Sequence, residues 1–492
     1  MTDEQPPSES PADAPADASA GAPPAATPAR FSYGAHAEIE LGASGFRAPR
    51  WPGRGEVFVA YRDVTHVVVE PRALAIGTRF GLVLLNRGQL GGEAPARELA
   101  EALRARVFAL PGGDERRARF ARLDAKQRAR RPWIAALLVA VTGVVYALQQ
   151  LVPGFYDAAI YRPPLLALGE WWRYAATQFL HANPAHLLMN AVSALIAGAF
   201  VERSLGRAGT LFVAGAAGFG AMYASRFGAY SELLGFSGVA AGFFGALLAI
   251  EFFAPAEAPA SARIPRMILV IVVALQAALD LLPWLLPRWA AHTAGWAHLG
   301  GFAAGALAAL LVRDSARALV VLGAAAAVAV SAASFGVVAR NLFDPMPALE
   351  QRARTMLQGP VVNAMELNNL AWQIATTKAP TPRALEAAAQ LAEMAAALTG
   401  RSEPTVLDTL AEVYFALGRK DEAIAVIEQA IALAPGDTYY EEQRRRFNGE
   451  RAADDRPKPP LEQESPTPPD RGAEPGLPPG EIELPPGDEI TV

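Results

Sequence analysis

Between residues 133 and 340 the chain runs through a series of apolar stretches, each about as long as a bilayer is thick. Nothing else in it so narrows the structures it can adopt. Inside hydrocarbon every backbone N–H and C=O needs an internal partner, so stretches of this kind become helices. Seven are expected, near 133–151, 185–202, 208–226, 235–254, 266–287, 291–312 and 318–338. Each is close to the ~20 residues that cross a bilayer. Small residues crowd the later stretches, as close helix packing in lipid requires. Just before the first stretch, within 115–131, stands a basic block of Arg116, Arg117, Arg119, Arg122, Lys126, Arg128, Arg130 and Arg131. Such a block favours the cytoplasmic side. With the N terminus inside, stretches 2, 4 and 6 all start at the outer face, and a seventh crossing would put the C-terminal region outside.

The remainder is soluble in character, so mean hydropathy is only +0.18 and the chain still holds 40 prolines and 42 glycines. Residues 1–30 are rich in Ala, Pro and acids, lack both a basic start and an apolar run, and are expected to be a disordered arm and not a signal peptide. Residues 31–112 read as a β-rich domain. Short β-branched runs at Val57–Tyr61, Val64–Val69, Ala73–Ile76 and Gly81–Leu85 precede a helical pattern at Ala96–Leu110. Strands closed by one helix resemble a pleckstrin-homology-like module, on element order alone. His36 and His66 are expected to be ordinary strand or loop residues there. Residues 113–132 read as a basic juxtamembrane linker. Residues 361–449 are helical, and 404–437 fits the tetratricopeptide pattern through Leu407, Leu410, Ala411, Tyr414, Gly418, Ala423, Ile427, Ala430 and Pro435. A looser copy lies upstream at Leu367, Leu370, Ala371, Ile374, Ala388 and Ala395, and a flanking helix is expected to cap the pair. The tail 450–492 holds eleven prolines and is expected to be disordered. The fold class is therefore multi-domain: a polytopic all-α membrane bundle at 133–340, a small N-terminal β-rich domain and a C-terminal α-helical repeat domain.

The absence of cysteine excludes thiolate metal sites and a cysteine nucleophile. A net charge of −5 over 492 residues gives no argument for nucleic acid. Polar side chains in lipid are costly, so each needs a reason. Four of the six histidines, His181, His186, His292 and His298, lie in or beside the apolar stretches. His186 and Asn190 are four apart and share a helix face at the outer start of stretch 2. Gly235-Phe236-Ser237-Gly238 opens stretch 4, and His298, Gly301 and Gly305 lie in the outer half of stretch 6. These groups fall at similar depth under a topology drawn without them. A serine hydroxyl becomes a nucleophile when a base takes its proton, and His298 is a suitable base for Ser237. His186, Asn190 and the Ser237 N–H are the donors for a tetrahedral oxyanion. Gly301 and Gly305 form a small-residue stripe that lets two helices approach.

Trp172-Arg173 in the first loop, His181-x4-His186-x3-Asn190, Gly235-x-Ser237-Gly238 and His298-x2-Gly301-x3-Gly305 occur in order. Together they resemble the rhomboid family of intramembrane serine proteases over about 130–313. The resemblance implies a Ser–His dyad of Ser237 and His298 without a third acid, and an oxyanion hole at His186 and Asn190. It implies a structural role for Glu202, and no metal or cofactor. Rhomboids often carry Tyr or Phe four residues after the serine to support the catalytic ring; Ala241 stands there, so support comes from elsewhere or activity is reduced. His292 lacks the second glycine of the motif and is expected to be a loop or interfacial residue. His181 either aids the oxyanion network or holds the loop. Trp171, Trp172 and Arg173 either form an interfacial belt or serve the first loop. Asp280, an acid without a motif, is expected to hydrogen-bond a neighbour or sit near the outer interface, not to act in catalysis.

The expected function is intramembrane endopeptidase cleavage of transmembrane helices near the outer leaflet. The alternatives are a catalytically silent rhomboid-like protein that binds membrane clients, with Ala241 as its cue, and a transporter or scaffold, which leaves the motif quartet unexplained. Expected partners are single-span membrane substrates, the bilayer, and proteins held by the repeats. The expected location is a bacterial inner membrane, as a multi-pass protein.

Overall fold

A computed structural model describes residues 28–49, 55–129, 131–228, 230–285, 294–314, 317–359 and 363–457. The chain divides into two compact units, Met1–Ala348 and Leu349–Val492.

The first unit opens with two antiparallel sheets. One orders β1 (Ala29–Tyr33), β2 (Ala37–Leu41), β3 (Gly45–Pro49) and β4 (Glu56–Ala60) as a meander, and the other orders β5 (Val64–Val69), β6 (Ala73–Thr78) and β7 (Gly81–Asn86). Helix α1 (Glu93–Phe108) closes them, burying Leu99, Leu103 and Val107 against Ile39, Phe46, Val67 and Ile76. This is the element order expected for residues 31–112, with three strands more than the β-branched runs reveal. Strand β1 starts at Ala29, so the expected arm of 1–30 gives its last two residues to the sheet. The expected linker at 113–132 is largely helical: α2 (Gly113–Ala129) buries Phe120 and Leu123, and Phe120 packs edge-on against His66 and Phe108.

The membrane part follows with α3 (Trp133–Leu151), the short α4 (Phe155–Ala159), α5 (Pro163–Ala167) and α6 (Arg173–Ala176), then α7 (Pro184–Ala224). After it come α8 (Ser237–Phe253), α9 (Arg266–Leu285), α10 (Gly295–Asp314) and α11 (Arg317–Phe343). Helix α7 breaks at Gly206, whose φ of 81° is a conformation that favours glycine, so its 41 residues form two arms. Five described helices, α7 counted once, are long and apolar enough to cross a membrane; α8 is apolar but has 17 residues. The two arms of α7 and helix α8 fall on three of the expected stretches. Glu202, fully buried, accepts from the backbone N–H groups of Ile134 and Ala135 at 2.9 and 3.0 Å. It thereby satisfies two of the amides that a helix leaves open at its start.

The segment between α8 and α9 meets the β-domain. Arg263 is buried, donating to both carboxylate oxygens of Glu251 at 2.7 and 2.6 Å and to Thr65 Oγ1 at 3.3 Å. Arg266 donates to the Arg79 carbonyl at 2.7 Å, and Ala260 N–H donates to His66 Nδ1 at 3.1 Å. His66 Nε2 therefore carries the proton and donates to Asp124 at 3.1 Å. Burial holds this imidazole below its ordinary range, in keeping with a neutral ring.

Helix α12 (Met346–Gln358) runs across the boundary, and the second unit then holds two helical hairpins, α13 (Ala364–Thr376) with α14 (Pro382–Leu398) and α15 (Pro404–Ala416) with α16 (Lys420–Leu433). The repeat positions Leu367, Leu370, Ala371, Ala388, Leu407, Leu410, Ala423 and Ile427 are buried. The expected cap is α17 (Thr438–Asn448). Of the residues expected in the tail, 450–457 are described: Arg446 donates to the Ala453 carbonyl at 2.7 Å and Arg456 donates to Glu412 at 2.7 Å, and the rest lie outside the described residues.

Asp408 on α15 is buried and accepts from Tyr439 Oη at 2.7 Å and Gln443 Nε2 at 3.0 Å. Burial outweighs those two bonds and pushes its carboxyl up to about 7. An acid whose folded value lies above its unfolded one keeps its proton longer in the fold. Its contribution to stability is thus full below about pH 4 and drains away as the pH rises to about 7. Amide exchange in α15 and α17, corrected for intrinsic pH dependence, is expected to be slower at pH 5 than at pH 8. Asp408→Asn is expected to flatten that difference; an unchanged pH slope in the variant would assign it to other groups.

Candidate active site

The first loop is built before anything chemical is placed on it. Trp172 Nε1 donates to the Ala158 carbonyl at 3.1 Å. Arg173, buried, donates to Glu170 at 2.5 Å and to the carbonyls of Asp157 and Ile160 at 2.7 and 2.6 Å. An arginine with an acid and two carbonyls in its fork is a fixed joint. Thr177, which the sequence does not single out, links that loop to the segment before Ser237. Its Oγ1 donates to the Leu233 carbonyl and accepts from Tyr161 N–H, and its own carbonyl accepts from Gly235 N–H at 3.2 Å.

Two glycine pairs then bring α8 and α10 together. A Cβ on Gly301 would run into the Gly238 carbonyl, and one on Gly305 into the Gly242 carbonyl. This backbone-to-backbone approach is what the small-residue stripe permits. Ser237 is the first residue of α8 and His298 lies in the first turn of α10. The result is a hydrogen bond of 2.8 Å between His298 Nε2 and Ser237 Oγ. Both side chains are half-buried.

His186 and Asn190 enter from α7. Asn183 caps that helix by accepting from His186 N–H at 2.9 Å, and Pro184 starts its first turn. Both side chains face Gly235: a Cβ there would lie 3.0 Å from His186 Nε2 and 3.4 Å from Asn190 Nδ2. Gly235 also has a φ of +119°, so two independent constraints require glycine. Asn190 Nδ2 is buried and has no partner among the described residues. A buried donor left open beside a serine is costly unless a ligand atom is to fill it. The Ser237 N–H, at a helix N-terminus, has no intrahelical acceptor and adds a second donor. His181 is fully buried, its ring 5.2 Å from that of His186. Its backbone exchanges two hydrogen bonds with Gln149, at 2.8 and 3.1 Å, its Nδ1 lies 3.2 Å from the Phe179 carbonyl, and its buried Nε2 has no partner among the described residues.

Asp280, on α9, meets the site as well. Its Oδ1 lies 2.8 Å from His298 Nδ1 and accepts from Gln276 Nε2 at 3.2 Å. The sequence offers a neighbour for this acid without saying which one. His292 lies outside the described residues. Among the described residues no three His, Asp or Glu side chains converge as a metal site. The arrangement has a hydroxyl on an imidazole with open donors beside it. It is suited to acyl transfer.

Residues 168–315 match the Rhomboid domain family, and residues 404–437 match the Tetratricopeptide repeat family. RHOMBOID-like protein 4 of Arabidopsis thaliana is 33% identical over 141 residues, 28% of this chain and 33% of that protein. RHOMBOID-like protein 1 of the same plant is 31% identical over 140 residues, with the same coverage of each. Rhomboid protease AarA of Providencia stuartii is 33% identical over 78 residues, 16% of this chain and 27% of its own. The chain spans about a third or less of the length of these relatives.

Proposed function

From a multi-pass membrane chain that carries a rhomboid domain and a tetratricopeptide repeat, we propose an intramembrane serine endopeptidase. The observation that carries this reading is the 2.8 Å bond between Ser237 Oγ and His298 Nε2 beside Asn190 Nδ2, which has no partner among the described residues. Ser237 Oγ attacks the scissile carbonyl carbon while its proton passes to His298 Nε2. The carbonyl oxygen becomes an oxyanion, held by Asn190 Nδ2, the Ser237 N–H and His186. Collapse returns the proton from Nε2 to the leaving nitrogen and leaves an acyl-serine, which water attacks with His298 again as base. The substrate is a single-span helix that unwinds near the outer leaflet, because the site lies at the Ser237 end of α8. The N-terminal domain and the basic helix α2 are then cytoplasmic, as in a bacterial inner-membrane protein with seven crossings. The repeats hold protein partners through their groove.

Reconstitution with a single-span substrate tests the reading. Cleavage inside the span and fluorophosphonate labelling at Ser237 are expected. Folded protein that neither cleaves nor labels would instead support a silent client-binding protein, the reading for which Ala241 is the cue. Asn190→Ala is expected to lower kcat by about 10²- to 10³-fold, the usual cost of removing one oxyanion donor. An unchanged kcat would take Asn190 out of the oxyanion hole.

A further inference from the structure

We propose that Asp280 is a positioning residue for His298, so that the site works as a Ser237–His298–Asp280 triad. The proposal rests on Ser237 and His298 being the reacting pair. An imidazole serves as base at Nε2 only in the tautomer that carries its proton on Nδ1. Asp280 Oδ1 at 2.8 Å from Nδ1 selects that tautomer, and Nε2 is left to accept from Ser237 at 2.8 Å. When the ring takes the serine proton it becomes a cation, and the adjacent carboxylate stabilises it. Gln276, one turn earlier on α9, donates to the same Oδ1 at 3.2 Å and so fixes the carboxylate.

Two further observations point the same way. Asp280 is the one acid on α9, a helix otherwise strongly apolar, where an ionisable residue is costly. It is turned onto His298 with 14% of its side chain exposed, against 12% for the histidine. Among the described residues no aromatic ring is paired with His298, so the hydrogen bond at Nδ1 is the contact that orients it. Among the described residues the other polar groups near the pair are Gln276, whose Nε2 also lies 3.4 Å from His298 Nδ1, His186 from α7 and Tyr230 from the segment before α8.

A carboxylate that merely ties α9 to α10 would have the same distances, so the test must separate the roles. In proteoliposomes, Asp280→Asn is expected to lower kcat by about 10²- to 10⁴-fold with KM within about threefold of wild type. Asp280→Glu is expected to recover at least about tenfold of that loss, since it restores the carboxylate. Wild-type kcat in folded Asp280→Asn, alongside inactive Ser237→Ala, overturns the triad and leaves the endopeptidase standing. A rise in KM together with a lower thermal midpoint, without rescue by glutamate, also overturns it, in favour of a tie. Nitrogen-15 histidine spectra of the wild type, assigned by loss of the His298 signal in His298→Asn, need neither activity nor a folded Asp280 variant. They are expected to show the proton on Nδ1 at neutral pH, and a proton on Nε2 overturns the proposal. If the wild type cleaves nothing, the endopeptidase reading fails, and these spectra still decide the hydrogen bond to Asp280.

Discussion

Ser237→Ala is expected to lower cleavage of a single-span substrate by at least about 10⁴-fold, while the thermal midpoint stays within a few degrees of wild type. Among the described residues the hydroxyl is the oxygen paired with His298 Nε2, at 2.8 Å. Without it the two-step acyl route is closed and water must attack directly. The oxyanion donors survive the substitution, so a residual rate above that of uncatalysed hydrolysis is expected. The hydroxyl contributes little to packing: it is half-buried at the start of α8, and Gly235 and Gly238 on either side hold the backbone turn without it. Substrate and product resolved by electrophoresis after reconstitution would check this. Activity within tenfold of wild type would remove Ser237 from the chemistry.

The second large effect is expected at a glycine that bears no reacting atom but stands one turn from His298. Gly301→Val places a branched side chain where the Gly238 carbonyl already stands, and the two backbones must part. Overpacking of this kind costs about 1–3 kcal/mol, occasionally more. The separation also acts directly on chemistry, because α8 carries Ser237 and α10 carries His298. A displacement of about 1 Å can lower a rate by about 10²-fold. Cleavage is therefore expected to fall at least that far, even in the fraction that remains folded. Gly143→Ala on α3, where an added Cβ meets nothing within 4 Å, is the control expected to keep both stability and activity. If Gly301→Val kept wild-type rates, the glycine contact would not be what sets the serine–histidine distance.

Much of this site is legible in the sequence because it is written on single helices. His186 and Asn190 share one face at a spacing of four, and Gly301 and Gly305 do likewise. Ser237 sits between two glycines at a helix start. The partnership of Asp280 is of a different kind. It is 18 residues from His298 with a helix boundary between, and it arises only when α9 lies against α10. A lone acid in an apolar run shows that some partner is needed, never which. Thr177 escapes notice for a related reason, since its bonds run to Leu233 and Tyr161 through backbone atoms that no side-chain pattern marks. In the N-terminal domain β2 does alternate, with Ile39 and Leu41 buried, but Gly42, Gly45 and the charged residues around it break the longer pattern. Helix α2 hides because only Phe120 and Leu123 bury apolar surface among many arginines.

The grip of the β-domain on the segment before α9 makes that helix a lever. Its base is clamped where Arg263 joins Glu251 to Thr65 and Arg266 holds the Arg79 carbonyl. Along its shaft most described residues are exposed, and Leu269 is the buried one. Asp280 lies fourteen residues beyond Arg266, an arm of about 21 Å at 1.5 Å per residue. A tilt of about 3° at the clamp therefore carries the carboxylate about 1 Å, more than a hydrogen bond to His298 tolerates. The stiffness of a joint on one face of the bundle is thus geared directly to the alignment of the histidine near the other.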